Sequence, residues 1–76
     1  MLEKLQEIYN TVAGREDITL TPKMKLEEME LTSLGLIHLI CQIEDTYDIE
    51  ISNRDMSRFK TVQDVLKYLD RVLERK

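Results

Sequence analysis

Apolar residues recur every three or four positions in three stretches of the chain, and no strand is expected. In the first stretch Leu2, Leu5, Ile8 or Tyr9, and Val12 share one face, which predicts a helix over Leu2–Ala13. Glu3 suits the positive end of its dipole, and Gly14 is placed to close it in a left-handed cap. Residues 15–31 carry no such period and include Thr21-Pro22. Yet Ile18, Leu20, Met24, Leu26, Met29 and Leu31 are spread along them, so the expectation is a long loop pinned to the core. A second helix is expected over 33–47, with Thr32 as N-cap. It has two apolar stripes, Leu36, Ile40, Ile43 and Tyr47, and beside them Leu34, Ile37 and Cys41. That sector is wider than a one-sided surface helix needs. One stripe is expected to face the core and leave the other for a ligand or partner; the competing arrangement buries both. A short helix is expected near 53–58, capped by Ser52 or Asn53. The last helix is expected to start at Thr61, with Asp64 completing a capping box. Val62, Val65, Leu66, Leu69, Val72 and Leu73 form its apolar face, and Arg71, Arg75 and Lys76 suit its negative end.

The fold class is therefore all-α, a small bundle of three main helices plus one short helix. The expected core is Leu5, Ile8, Val12, Leu26, Leu36, Ile40, Ile43, Tyr47, Ile51, Phe59, Val62, Leu66 and Leu69. With 76 residues the chain is expected to form one domain over 1–76. Hydrophobic residues make up 42%, enough for a packed core and too many for a disordered chain. Charges interrupt every apolar run well short of a membrane span, and the first residues show no signal-peptide core. A cytoplasmic monomer without membrane contact is the default that follows. A single cysteine, Cys41, leaves no internal disulfide and no multi-cysteine metal site.

The net charge of −4 matters less than where it lies. Residues 26–53 hold seven carboxylates, Glu27, Glu28, Glu30, Glu44, Asp45, Asp48 and Glu50, and no Lys or Arg. The rest of the chain holds eight acidic and eleven basic residues. An acidic middle disfavours nucleic acid, whose phosphates it would repel, and favours a partner that presents Lys and Arg. A merely solvated acidic face is an equal reading of the same pattern.

Catalytic constellations are missing. His38 is the only histidine and has no companion groups at triad spacing, so it reads as a surface residue. Glu44 and Asp45 are adjacent on a helix and therefore splay apart, unlike a paired acid and base. The run Asp48-Ile49-Glu50-Ile51-Ser52-Asn53 lacks the central glycine and closing glutamate of an EF-hand. With only Gly14 and Gly35 there is no glycine-rich phosphate loop. What remains is Ser33, a hydroxyl at the start of the second helix. There the first backbone N–H groups lack intrahelical partners and the dipole favours an attached anion.

Thr32-Ser33-Leu34, the run through Glu44-Asp45-Thr46-Tyr47-Asp48-Ile49-Glu50-Ile51, and Phe59-Lys60-Thr61-Val62-Gln63-Asp64-Val65 to Tyr68-Leu69 together resemble an acyl carrier protein. Upstream, Leu26-Glu27-Glu28-Met29-Glu30-Leu31 resembles that family's loop, often Leu-Glu-Glu-Leu-Gly-Leu. The resemblance covers nearly the whole chain. It implies that Ser33 carries a 4′-phosphopantetheine arm taken from coenzyme A by a separate phosphopantetheinyl transferase. It implies that the chain holds acyl intermediates as thioesters and catalyses nothing itself. Its partners would be acyl-transferring or acyl-activating enzymes with basic surfaces, met through Leu34, Ile37, Cys41, Glu44, Asp45 and Asp48. The family's motif is Asp-Ser-Leu, so Thr32 removes a charge, and Gly35 and His38 stand where acidic residues are frequent. An unmodified helical adaptor, binding a protein through the second helix, is the alternative.

Overall fold

Each amphipathic stretch becomes a helix because burying its apolar face outweighs its weak intrinsic stability. The computed structural model describes residues 1–74. Helix α1 spans Leu2–Ala13, α2 Ser33–Tyr47, the single-turn α3 Asn53–Met56 and α4 Val62–Glu74. Among the described residues there are no strands, only one isolated bridge between Lys25 and Thr61. The expected bundle is what is found, with α1 packed on α2. Arg75 and Lys76, expected to complement the end of α4, lie outside the described residues.

The helix ends follow their capping chemistry. Gly14 adopts φ 67°, and its N–H donates to the Asn10 carbonyl at 2.9 Å. Thr32 caps α2, its hydroxyl accepting from the Gly35 N–H at 3.1 Å. Ser52 caps α3 through the Asp55 N–H. At α4, Asp64 Oδ2 accepts from the N–H groups of Lys60 and Thr61, while the Asp64 N–H donates to the Thr61 hydroxyl at 3.2 Å. This is the expected capping box, with Thr61 as the cap and Val62 as the first helical residue.

The long loop is pinned, as expected, and also contains an element that the pattern missed: a 3-10 helix over Leu26–Met29. Four residues are too few to display a period. Three long-range ties hold the loop. The Gln6 side-chain amide on α1 donates to the Ile18 carbonyl at 2.9 Å and accepts the Leu20 N–H at 2.7 Å. The Tyr9 hydroxyl donates to the Met29 carbonyl at 2.6 Å. Further on, the N–H groups of Val62 and Gln63 donate to the carbonyls of Met24 and Pro22, and that of Leu26 to Lys60.

The core corrects the expected list in detail. Leu5, Ile8, Ile40, Ile43, Ile51, Val62 and Leu69 are buried as expected. Val12, Leu26, Leu36, Tyr47, Phe59 and Leu66 are half-buried and pack around its margin. Tyr9, Leu20, Met29, Leu39, Ile49 and Val65 take the remaining central places. The reason is rotation and long-range contact. The inward line of α2 runs through Leu39 as well as Ile40 and Ile43, that of α4 through Val65, and the pinned loop inserts Leu20 and Met29.

Candidate functional site

Ser33 is the first residue of α2 and is exposed. The N-cap before it uses both of its oxygens: the Thr32 hydroxyl accepts from Gly35 and the Thr32 carbonyl from the Leu36 N–H at 2.9 Å. Among the described residues, the N–H groups of Ser33 and Leu34 donate to no protein group, and the Ser33 hydroxyl is likewise unengaged. Two open amides at the positive end of a fifteen-residue helix therefore lie beside a free hydroxyl. An anion joined to that oxygen meets donors there instead of a wall of carbonyls. Gly35 leaves room for the approach to this turn, because a Cβ on it would come within 3.3 Å of Leu31 Cδ2.

The segment that delivers the chain to Ser33 is held from α1. Tyr9 fixes the Met29 carbonyl, and the next residue, Glu30, sits in the left-handed region at φ 55°, ψ 37°. That conformation favours glycine, which the resembling loop often has at this position. Arg15 lies at the end of α1. Its guanidinium grips the Asp17 carboxylate through two hydrogen bonds and approaches Glu30 at 3.8 Å. The fork holds Asp17 down at about 2 and raises Arg15 above its ordinary value. Sequence reasoning missed this bracket. Its one visible signal was the glycine position occupied by Glu30.

From Ser33 the expected partner residues run along one exposed strip. Ser33, Ile37, Cys41 and Asp45 recur every four residues and so stack on one face, spanning about 18 Å of helix. Leu34 is 61% exposed and Ile37 47%, although both are large and apolar. Cys41 and Asp45 are exposed too, and Asp48 ends the strip in the left-handed conformation at φ 53°. The second stripe is thus the outward one, and the arrangement that buries both stripes is excluded.

Glu44, expected with Asp45 among the partner-facing residues, is set apart from it by its surroundings. It is half-buried, and its Oε2 accepts from the Ile51 N–H at 2.8 Å, while its carbonyl accepts from Ile49 at 3.1 Å. It fastens the turn that sends Ile49 and Ile51 back into the core. His38 is exposed. Among the described residues no group of His, Cys, Asp and Glu could hold a metal ion.

Comparison with known proteins agrees with this arrangement. The family described as "Phosphopantetheine attachment site" matches residues 3–69. An "Acyl carrier protein" of Lactococcus lactis subsp. cremoris (strain MG1363) is 34% identical over 70 residues, covering 92% of this chain and 93% of that protein. A "Meromycolate extension acyl carrier protein" of Mycolicibacterium aurum is 32% identical over 71 residues, covering 92% of this chain and 73% of that protein. The family match extends over nearly all of α1, the pinned loop, α2 and most of α4, and the chain belongs to the phosphopantetheine-attachment family of acyl carrier proteins.

Proposed function

We propose that the chain carries acyl groups as thioesters on a 4′-phosphopantetheine arm joined to Ser33. The observation that carries the reading is the exposed, unengaged Ser33 hydroxyl beside two open amides at the start of α2. When bound, the arm supplies a thiol on a long flexible tether. The chain's own residues do the rest. The dipole and the amides of Ser33 and Leu34 offset the phosphodiester charge. Thr32 holds the first turn closed so that the serine oxygen stays outward. Among the described residues none engages that oxygen; a phosphopantetheinyl transferase supplies the base and magnesium, with coenzyme A as donor. Tethering raises the cargo's effective concentration at each enzyme the carrier visits.

Leu34 and Ile37 offer those enzymes an apolar contact, with Cys41 beside them. Asp45 and Asp48, backed by the partly engaged Glu44, steer basic surfaces toward it. In this proposal residues 1–76 act as a single, monomeric carrier domain in the cytoplasm. Among the described residues no helix is long and apolar enough to cross a membrane. Family membership disfavours the unmodified adaptor.

The test is mass spectrometry after incubation with coenzyme A, magnesium and a broad-specificity transferase. The protein should gain one phosphopantetheine mass, and Ser33→Ala should gain none. A gain that survives Ser33→Ala would move the site elsewhere, and no gain across several transferases would revive the adaptor.

A further inference from the structure

Three cations of the last third of the chain converge. Arg58, from the turn after α3, and Lys67 and Arg71, four residues apart on α4, line one cleft of about 210 Å³. A second hollow of about 270 Å³ adjoins it, sharing Asp55, Arg58, Tyr68 and Arg71 and extending to Val72. One wall is aromatic, with Phe59 and Tyr68 edge to face at 5.3 Å between centroids.

The two carboxylates that line the same cleft, Asp55 and Asp64, are already committed. Asp64 holds the N–H groups of Lys60 and Thr61 at the start of α4. Asp55 faces the Tyr68 hydroxyl, and, after burial, is the next cause of that phenol's raised pKa. Among the described residues, Arg58, Lys67 and Arg71 make no ion pair. A chain of net charge −4 therefore gathers three cations, against two carboxylates, around one concave site, with the opposite sign to the strip on α2. None of its lining residues belongs to the Ser33 strip.

We infer that this α3–α4 cleft is a docking surface for an acidic segment of a partner protein, anchored by Arg58, Lys67 and Arg71. Charge complementarity selects the sign of the occupant. Shape selects a segment over a lone ion: the two hollows are contiguous, and Lys67 and Arg71 lie about 6 Å apart along the helix. That spacing matches carboxylates two residues apart on an extended chain, about 6.8 Å. Each guanidinium offers a paired fork to a carboxylate, and the aromatic wall accepts the segment's methylene groups. The inference stands apart from the reading of Ser33, since it concerns different residues and needs no arm.

The test uses the full chain, isotopically labelled, titrated at low salt with an N-acetylated hexaglutamate peptide and followed by amide chemical shifts. Saturable shifts should gather on residues 55–72. Arg58→Gln with Arg71→Gln should weaken binding by about threefold to tenfold, in the range expected for two exposed charge contacts. Lys23→Gln, an exposed cation outside the lining of the cleft, should leave binding unchanged, and melting curves should show that both proteins stay folded. Absence of saturable shifts would overturn the proposal. So would equal weakening by Lys23→Gln, which would mean diffuse attraction. Complete displacement of the peptide by an equal concentration of inorganic phosphate would also overturn it, by revealing a small-anion site.

Discussion

Replacing Tyr9 by Phe removes one oxygen and leaves a buried carbonyl without its donor. Tyr9 is 0% exposed and Met29 1%, so no water takes the place of the 2.6 Å bond. An unsatisfied buried polar group costs about 1–3 kcal/mol, and a neutral pair belongs in the lower half of that range, about 1.5 kcal/mol. For a two-state domain of this size each kcal/mol moves the melting midpoint by about 4–8 °C, so Tyr9→Phe should melt about 6–12 °C lower. Circular dichroism at 222 nm measures this. An alkaline series adds an independent check. Burial, the largest cause, raises the Tyr9 pKa above its ordinary 10.0, with Arg15 opposing and Asp17 and Glu30 assisting. The unfolded chain therefore loses this proton first. The resulting stability is complete below about pH 10 and declines as pH climbs through the folded value. Phe has no such proton, so the gap between the two proteins should narrow in strong alkali. Tyr68, also raised, is present in both proteins and cancels. A midpoint shift under about 1.5 °C, or a gap constant through the alkaline range, would refute the reasoning.

Glu30→Gly should raise the urea midpoint by the equivalent of about 0.5–1 kcal/mol, because glycine accepts the left-handed geometry without strain; a lower midpoint would mean that the 3.8 Å Arg15 contact outweighs that strain. Asp64→Ala should lower the melting temperature and flatten the acid limb. The Lys60 and Thr61 amides hold its pKa below 3.8, so its contribution is full above that value and is lost as pH falls through the folded one. An unaltered acid limb would contradict this. Asp45→Lys should slow association with a basic partner enzyme, more at low salt than at high, without changing the melting curve. Glu44→Lys should also destabilise, by about 1 kcal/mol, because it removes the acceptor for the Ile51 N–H. Identical melting of the two variants would disprove the separate role of Glu44.

Local chemistry was readable where it is self-contained. The limits of α1 and α2, the caps Gly14 and Thr32, the α3 cap narrowed to Ser52 or Asn53, and the box formed by Thr61 and Asp64 all depend on residues within a few positions of one another. The outward strip of Leu34, Ile37 and Cys41 was readable as surplus apolar width, but which of two stripes would turn outward depended on neighbours distant in sequence. The rest was hidden for the same reason. Tyr9 as a clamp on Met29, Gln6 as a clamp on Ile18 and Leu20, and Glu44 as the acceptor for Ile51 are pairings that no period encodes. The convergence of Arg58, Lys67 and Arg71 joins two elements whose crossing no charge pattern reveals.

The ties from residues 22–26 to the start of α4 bear on how the molecule folds and opens. A helix ordinarily frays at its first turn, where N–H groups face solvent. In α4 those of Val62 and Gln63 are instead taken by carbonyls of Met24 and Pro22. Their exchange with solvent deuterium is thus governed by detachment of a loop about half the chain away, not by the local helix-coil equilibrium. The same segment leads through the 3-10 helix to Ser33. Slow exchange in the first turn of the last helix therefore reports, from a distance, whether the approach to the serine is docked.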